Sequence, residues 1–190
     1  MMRRYKMKTI KKHLQETYHL SNYQIAQLIF LFKTTISELS KIIIMGILFY
    51  NRLGSYVFAL FVMLFLRCST GGLHFYTYIG CLSTSIIYIW LAVLVFPSIS
   101  LPAFTRLLLL LACIVSCYII GPVVSKYRPE PSTRLFVRGR NTTFLFIFVY
   151  ALVQYIIPDT PILRVGLWVI ILHSLQLAIA KIRKKGECTK

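Results

Sequence analysis

Six long apolar stretches, separated by short polar or basic segments, constrain this chain more than any other feature of its sequence. A membrane-spanning helix needs roughly 20 mainly apolar residues, so several of the stretches are short for a perpendicular crossing. The sequence therefore predicts an all-α polytopic integral membrane protein with four to six transmembrane or re-entrant helices. The stretches cover residues 42–50, 53–66, 79–96, 103–121, 143–157 and 162–180.

The composition supports a membrane location and indicates which partners fit the chain. Hydrophobic residues make up 57% of the 190 residues, above the roughly 45–50% of soluble chains, which excludes a soluble globular protein. Lys and Arg number 22 against 5 Asp and Glu, which gives a net charge of +17. The cations flank the apolar stretches instead of sharing one surface, so we expect anionic membrane lipid, and no nucleic acid, as a partner.

The cations also predict an orientation, because most of them fall into three groups. Residues 1–41 hold eight, residues 126–140 hold five and residues 181–190 hold five. An even number of crossings puts all three groups on one side, as the positive-inside rule requires. We therefore expect both termini and the basic loop 121–141 in the cytoplasm. A single crossing over residues 42–66 would break this rule, which leaves two short spans or a re-entrant hairpin there.

One membrane domain is expected over residues 1–190. Its first part, residues 1–40, is basic, and apolar residues recur every three or four positions over residues 23–39. That pattern predicts an amphipathic helix at the cytoplasmic interface. The membrane helices follow over residues 41–180, and residues 181–190 form a basic cytoplasmic tail.

Residues 67–81 gather chemically useful side chains at a membrane edge and read R-C-S-T-G-G-L-H-F-Y-T-Y-I-G-C. Arg67 ends an apolar stretch and would cost about 2.5–3.5 kcal/mol at mid-bilayer, so it should lie at the interface or be paired. Gly71 and Gly72 permit a sharp turn or a close approach that larger residues forbid. We expect a re-entrant turn that faces the cytoplasm.

His74 and Cys81 are candidates for a base and a nucleophile. On a straight helix they would lie about 10.5 Å apart along the axis, which exceeds the roughly 2.6–3.2 Å needed for proton transfer. A functional pair therefore requires a break, expected at Gly80, with Cys81 opening the next helix. A helix start and a nearby histidine favour the thiolate form of a cysteine, and backbone N–H groups there could stabilise an oxyanion. Purely structural use of the cysteine is the competing interpretation.

The other cysteines and a second histidine receive structural interpretations. Cys68 is a rival nucleophile, although its place beside Arg67 fits a structural or incidental use equally well. Cys113 and Cys117 lie one helical turn apart inside an apolar stretch, where we expect packing before a redox pair. His173 lies inside another stretch, and we expect it to form an interhelical hydrogen bond.

No third member of a catalytic group stands out. Glu130, Asn141 and Ser85 could each approach Cys81, and the sequence does not choose among them. Asp159 lies on the opposite side in the expected topology. The five cysteines form no C-x-x-C pair and no zinc-ribbon spacing, so neither a disulfide framework nor a metal site is expected.

Two motifs in this small, basic, multispan chain carry a family resemblance. The string R-x3-G-G-x-H-x6-C over residues 67–81 resembles the AgrB family, the membrane peptidases of accessory gene regulator quorum sensing. The string G-P-x3-K-x2-P over residues 121–129 is similar to a loop that follows the middle spans of that family. With the order of the apolar stretches, the resemblance covers most of residues 20–180.

The resemblance implies an activity and a substrate. His74 and Cys81 would be the catalytic dyad of a cysteine endopeptidase that acts on a short precursor of the AgrD type. Cys81 would release the precursor's acidic tail and keep an acyl group, which a precursor cysteine or serine then displaces to close a thiolactone or lactone ring. The resemblance also implies a bacterial cell membrane, no metal or organic cofactor, and a homodimer.

Further site residues follow from charge and placement. We expect Arg67, Gly71 and Gly72 to organise the site, and Lys126 and Arg128 to contribute to the binding of an acidic precursor tail. Contact of the same cations with anionic lipid is an equally good interpretation.

Two other classes of protein fit parts of the sequence. A non-enzymatic exporter or scaffold for a peptide or lipid fits the plain outer spans, but it needs none of the residues gathered over 67–81. A membrane thiol oxidoreductase could use Cys68 with Cys81, or Cys113 with Cys117. The absent C-x-x-C pair and the cytoplasmic position of the first pair argue against it.

Overall fold

The computed structural model describes residues 22–72, 77–123 and 132–188, and these are helical apart from short turns. The prediction of an all-α membrane protein is confirmed, because five helices, α2 to α6, are long and apolar enough to cross a bilayer. The helices are α1 (Asn22–Leu48), α2 (Leu53–Thr70), α3 (Tyr78–Trp90), α4 (Ala103–Ile120), α5 (Thr133–Ile156) and α6 (Pro161–Cys188).

Helix α1 joins the predicted amphipathic pattern to the apolar stretch that follows it. No Gly or Pro occurs between residues 22 and 45 to end a helix, and Lys41 Nζ lies 2.5 Å from a carboxylate oxygen of Glu38 one turn earlier. The 27 residues of α1 correspond to about 40 Å, although three charged residues interrupt its apolar character. The even number of crossings therefore stays a prediction.

The first two apolar stretches are separate helices, as the charge distribution predicts. α1 ends at Leu48, and a 3₁₀ turn over Tyr50–Arg52 precedes α2. The polar residues and the glycine over residues 51–54 disfavour a continuous apolar helix, which explains the break between α1 and α2. α1 belongs to one compact unit, and the chain from Phe49 onward forms a second.

In the second unit, consecutive helices alternate in direction around α6. α6 packs against α2 and α4, and α5 packs across the same two helices. More than half of the spanning residues of α6 are buried, against a third or fewer in the other four spans. Gly166 permits this packing, since any side chain there would overlap the Tyr150 hydroxyl and the Phe58 ring. α6 is therefore the central helix of the unit.

The alternation gives the unit two ends, which differ in composition. We call the end formed by residues 70–72, 77–81, 121–123 and 132–133 the Cys81 end. The opposite Asp159 end consists of residues 50–53, 96–103 and 157–161. Here α3 finishes irregularly, with a π turn before Pro97, because proline lacks an N–H and clashes with the carbonyl four residues earlier in a regular helix.

Candidate active site

Cys81 lies in the first turn of α3 with its side chain partly exposed. Thr77 caps this helix: its Oγ1 accepts a hydrogen bond from the Gly80 N–H at 3.1 Å. The Cys81 N–H donates to the Thr77 carbonyl oxygen, also at 3.1 Å. The helix therefore begins at Tyr78, and the predicted break at Gly80 is wrong because threonine is a strong N-cap residue.

The capped helix start limits which groups can bind an oxyanion. The N–H groups of Gly80 and Cys81 already donate to Thr77. Stabilising donors would have to come from elsewhere in this turn or from neighbouring segments.

His74 lies outside the described residues, and so do Lys126, Arg128 and Glu130. Pairing of His74 with Cys81 therefore stays a prediction, as do the roles given to the two cations.

The two sequence motifs lie side by side at the Cys81 end. Gly71 and Val123 form a parallel bridge, and the Val123 N–H donates to the Thr70 carbonyl oxygen at 2.9 Å. The sequence presents these motifs as independent features 50 residues apart. Their contact arises from the packing of the helices. In the sequence, only the glycines at 71 and 121 indicate that the backbone can come close there.

Glycine allows three helix ends to converge here. Gly71 and Gly121 have φ angles of 77° and 68°, a region that side chains disfavour. A Cβ on Gly71 would overlap the Val123 carbonyl oxygen, and a Cβ on Gly139 would overlap that of Ser69. The ends of α2 and α4 and the start of α5 thus meet through backbone contacts.

Arg67 is paired, as its position at the end of an apolar stretch predicts. Its Nη2 donates to Gln176 Oε1 on α6 at 3.4 Å. The Gly72 backbone lies over this pair, because a Cβ built there would be 3.8 Å from both Arg67 Nε and Gln176 Oε1. Arg67 thus connects the end of α2, the glycine turn and α6.

His173 makes the interhelical hydrogen bond that the sequence predicts. Its Nε2 lies 2.8 Å from Thr70 Oγ1, while the Thr70 hydroxyl donates to the Leu66 carbonyl oxygen at 2.8 Å. Because the hydroxyl has one proton, His173 Nε2 is assigned as the donor to Thr70. Nδ1 of the fully buried ring is then an acceptor with no partner among the described residues.

The other cysteines occupy different environments. Cys68 is exposed, on the side of α2 away from its buried residues Leu66 and Thr70. Cys113 and Cys117 are buried, and the Cys113 sulfur lies 3.3 Å from the Ser174 hydroxyl. The predicted packing role of these two cysteines is confirmed.

The candidates for a third catalytic residue are scattered. Ser85 is buried in α3, and Asn141 is exposed on α5. Asp159 lies at the opposite end from Cys81, as predicted, and makes ion pairs with Arg106 and Arg164. Over the described residues, no group of three His, Cys, Asp or Glu side chains is arranged to hold a metal ion.

The basic segment is partly helical and not a loop throughout. α5 begins at Thr133, where the Ser132 hydroxyl accepts the Leu135 N–H at 3.5 Å, so the predicted loop 121–141 overlaps its first turns. Arg140 lies over the Tyr118 ring, 4.2 Å from the centroid. Two further cations of these turns, Arg134 and Arg138, are exposed at the Cys81 end.

Comparison with known proteins gives one result. The family model described as Accessory gene regulator B matches residues 7–177, which is most of the chain. No curated protein and no solved structure matches the chain.

Proposed function

This chain belongs to the accessory gene regulator B family, and on that premise we propose that it is a membrane cysteine endopeptidase. Its substrate is a short signalling-peptide precursor of the AgrD type. The observation that carries the proposal is the position of Cys81, a partly exposed thiol in the first turn of a helix. It lies at the same end of the unit as the contact between the two family motifs.

The proposed reaction uses Cys81 as nucleophile and His74 as base. His74 takes the thiol proton while the sulfur attacks a peptide carbonyl near the precursor's C-terminal region. The C–N bond breaks, His74 returns the proton to the leaving amine, and the acidic tail departs. An internal thiol or hydroxyl of the precursor then attacks the thioester, closing the ring and restoring Cys81.

Cys81 suits this role better than the other described cysteines. Cys113 and Cys117 are buried between helices, where a substrate has no access. Cys68 is exposed, but it lies in the last turn of α2 and not in the first turn of a helix.

Placement at a membrane edge supports ring closure over hydrolysis. Acyl transfer to an internal nucleophile needs a held substrate and little competing water. The Cys81 end combines exposed Arg134 and Arg138 with a tightly packed glycine junction. We propose that the Cys81 end faces the cytoplasm, because the positive-inside rule favours that side for its cations and for those of the C-terminal part of α6.

We assign the recognition of the substrate to cations of the segment between α4 and α5. Lys126 and Arg128 would attract the acidic tail of the precursor, while Arg67, Gly71 and Gly72 shape the turn that leads to His74. Anionic lipid competes for the same cations, so tail binding should weaken in strongly anionic membranes.

The test is mass spectrometry of a candidate precursor co-expressed in membranes with wild-type protein and three variants. We expect wild type and Cys68→Ala to release the tail, and Cys81→Ala and His74→Ala to leave the precursor whole. Cys68 is the matched control, since it is a thiol near the same end of the bundle. If all four proteins cleave, or none does with a verified partner, the peptidase proposal falls, and an exporter or scaffold becomes the function to test.

A further inference from the structure

Two polar side chains on α6 lie buried beside the Cys81 end. His173 is fully buried and Gln176 is 6% exposed. Polar groups inside a membrane protein carry a desolvation cost that apolar side chains in the same place would not have. Their contacts therefore indicate what they do.

Both side chains hold the end of α2. His173 donates to Thr70, the last residue of that helix, and Gln176 accepts from Arg67 one turn earlier. Thr70 also accepts the Val123 N–H on its carbonyl oxygen. The end of α2 is thus fixed by α6 on one side and by the segment after α4 on the other.

The contacts reach the turn that leads to His74. Gly72 lies directly over Arg67 and Gln176, and His74 follows two residues later. α6 also holds the helix that carries Cys81, because the Tyr88 hydroxyl donates to the Val169 carbonyl oxygen at 2.6 Å. One helix therefore contacts both the end of α2, which precedes His74 in the sequence, and the helix that carries Cys81.

From this geometry we propose that His173 and Gln176 are positioning residues for the reaction at Cys81. They act through Thr70 and Arg67 to fix where the glycine turn leaves α2, on the chain segment that leads in sequence to the proposed base, His74. The inference rests on the proposed function. A misplacement of about 1 Å in reacting groups can cost about a hundredfold in rate, so removing either contact should slow the chemical step and not substrate binding.

The test compares two equally buried glutamines in the full-length protein, reconstituted in vesicles of phosphatidylglycerol and phosphatidylethanolamine with the precursor peptide. Gln176 and Gln154 are both 6% exposed, and each makes one hydrogen bond, Gln154 to the Leu163 carbonyl oxygen at the Asp159 end. We expect Gln176→Leu to lower kcat about tenfold or more, with KM within about twofold. Gln154→Leu should leave kcat within about twofold of wild type.

His173 offers a rescue test. His173→Leu should lower kcat like Gln176→Leu, while His173→Gln, which can present an amide N–H at the same reach, should restore most of it. Combining Thr70→Val with His173→Leu should be no worse than the more severe single variant, because both remove the same hydrogen bond.

Specific outcomes would overturn the inference. If Gln154→Leu lowers kcat as much as Gln176→Leu, the loss reflects general stability. If Gln176→Leu changes only KM, or if His173→Gln is as slow as His173→Leu, α6 does not position the dyad. If Cys81→Ala cleaves as fast as wild type, the proposed function fails instead, whatever the α6 variants do.

Discussion

The two ends of the helical bundle are held together by different forces. At the Asp159 end, one carboxylate lies 2.5 Å from Arg106 Nη1 and 2.9 Å from Arg164 Nε, and Arg164 also donates to the Pro97 carbonyl oxygen at 3.4 Å. At the Cys81 end, close backbone contacts through glycines and hydrogen bonds to uncharged acceptors, including those from Arg67 and Lys181, hold the helices together. Among the described residues, one end depends on ion pairs and the other on backbone contacts and hydrogen bonds.

The difference shows how a basic chain can keep some of its cations exposed. Opposite charges fix loops at the Asp159 end without demanding close backbone contacts. The Cys81 end needs no acidic side chain for its described contacts, and Arg134 and Arg138 are exposed there. Under the proposed function, such cations would attract an acidic peptide. The exposure of these cations depends on close backbone contacts at glycines, where a side chain would overlap a neighbouring atom.

The largest expected effect comes from removing the carboxylate at the Asp159 end. Asp159→Ala leaves two largely buried guanidinium groups without their anion, and we expect it to lower the free energy of unfolding by about 3 kcal/mol. Unfolding in mixed micelles of increasing SDS content measures this. Protein that remains folded should cleave the precursor at the wild-type rate, because the change is at the far end. A loss of cleavage larger than the loss of folded protein would contradict the separation of the two ends.

Two glycine substitutions with smaller expected effects on stability, opposite in sign, test the close backbone contacts of the Cys81 end. Gly139→Ala should destabilise the protein by about 1–3 kcal/mol, since its Cβ would overlap the Ser69 carbonyl oxygen, and cleavage should fall with it. Gly54→Ala is the control: it is also helical, has open space around it, and should stabilise by about 0.5 kcal/mol. The same SDS titration measures the free energy of unfolding of both variants. An equal change in the two would show that the close contact of Gly139 with the Ser69 carbonyl oxygen does not contribute to stability.

The smallest expected effect concerns Lys181, a cation that caps the C-terminus of α4 at the Cys81 end. Lys181 Nζ donates to the Ile119 and Ile120 carbonyl oxygens at 3.4 and 3.1 Å. Lys181→Met should lower the free energy of unfolding by about 0.3–1 kcal/mol, by removing a charge from the C-terminus of α4. Raising the salt concentration should shrink the difference between wild type and variant. A difference that does not depend on salt would mean that packing, not charge, is lost.

The fold was predictable because each helix that crosses a lipid bilayer needs a long apolar stretch in the sequence. Apolar stretches marked the five spans of the second unit, and the separation of the first two stretches followed from residues 51–54. Boundaries were less accurate where a polar cap competes with a glycine. Thr77, and not Gly80, determines where α3 begins.

The site was predictable in its parts but not in its assembly. Arg67, the glycine pair and Cys81 stand out by residue type and spacing. Their contacts with Val123, Gln176 and the α5 glycine depend on helix packing, which no periodicity in a single sequence encodes. His173 was predicted to bond another helix, yet nothing in the sequence named Thr70 as its partner.

The contacts of α6 also set the order in which the protein is completed. Thr70 and His173 are 103 residues apart, and Arg67 and Gln176 are 109 apart. A ribosome that adds roughly 5–20 residues per second needs about 5–20 s to cover that interval. Throughout it, Arg67 lacks its partner on α6, and its guanidinium group must be solvated by water or lipid headgroups at the membrane interface. A nascent chain therefore carries Cys81 long before its surroundings exist, and the site is assembled only when the last helix has entered the membrane.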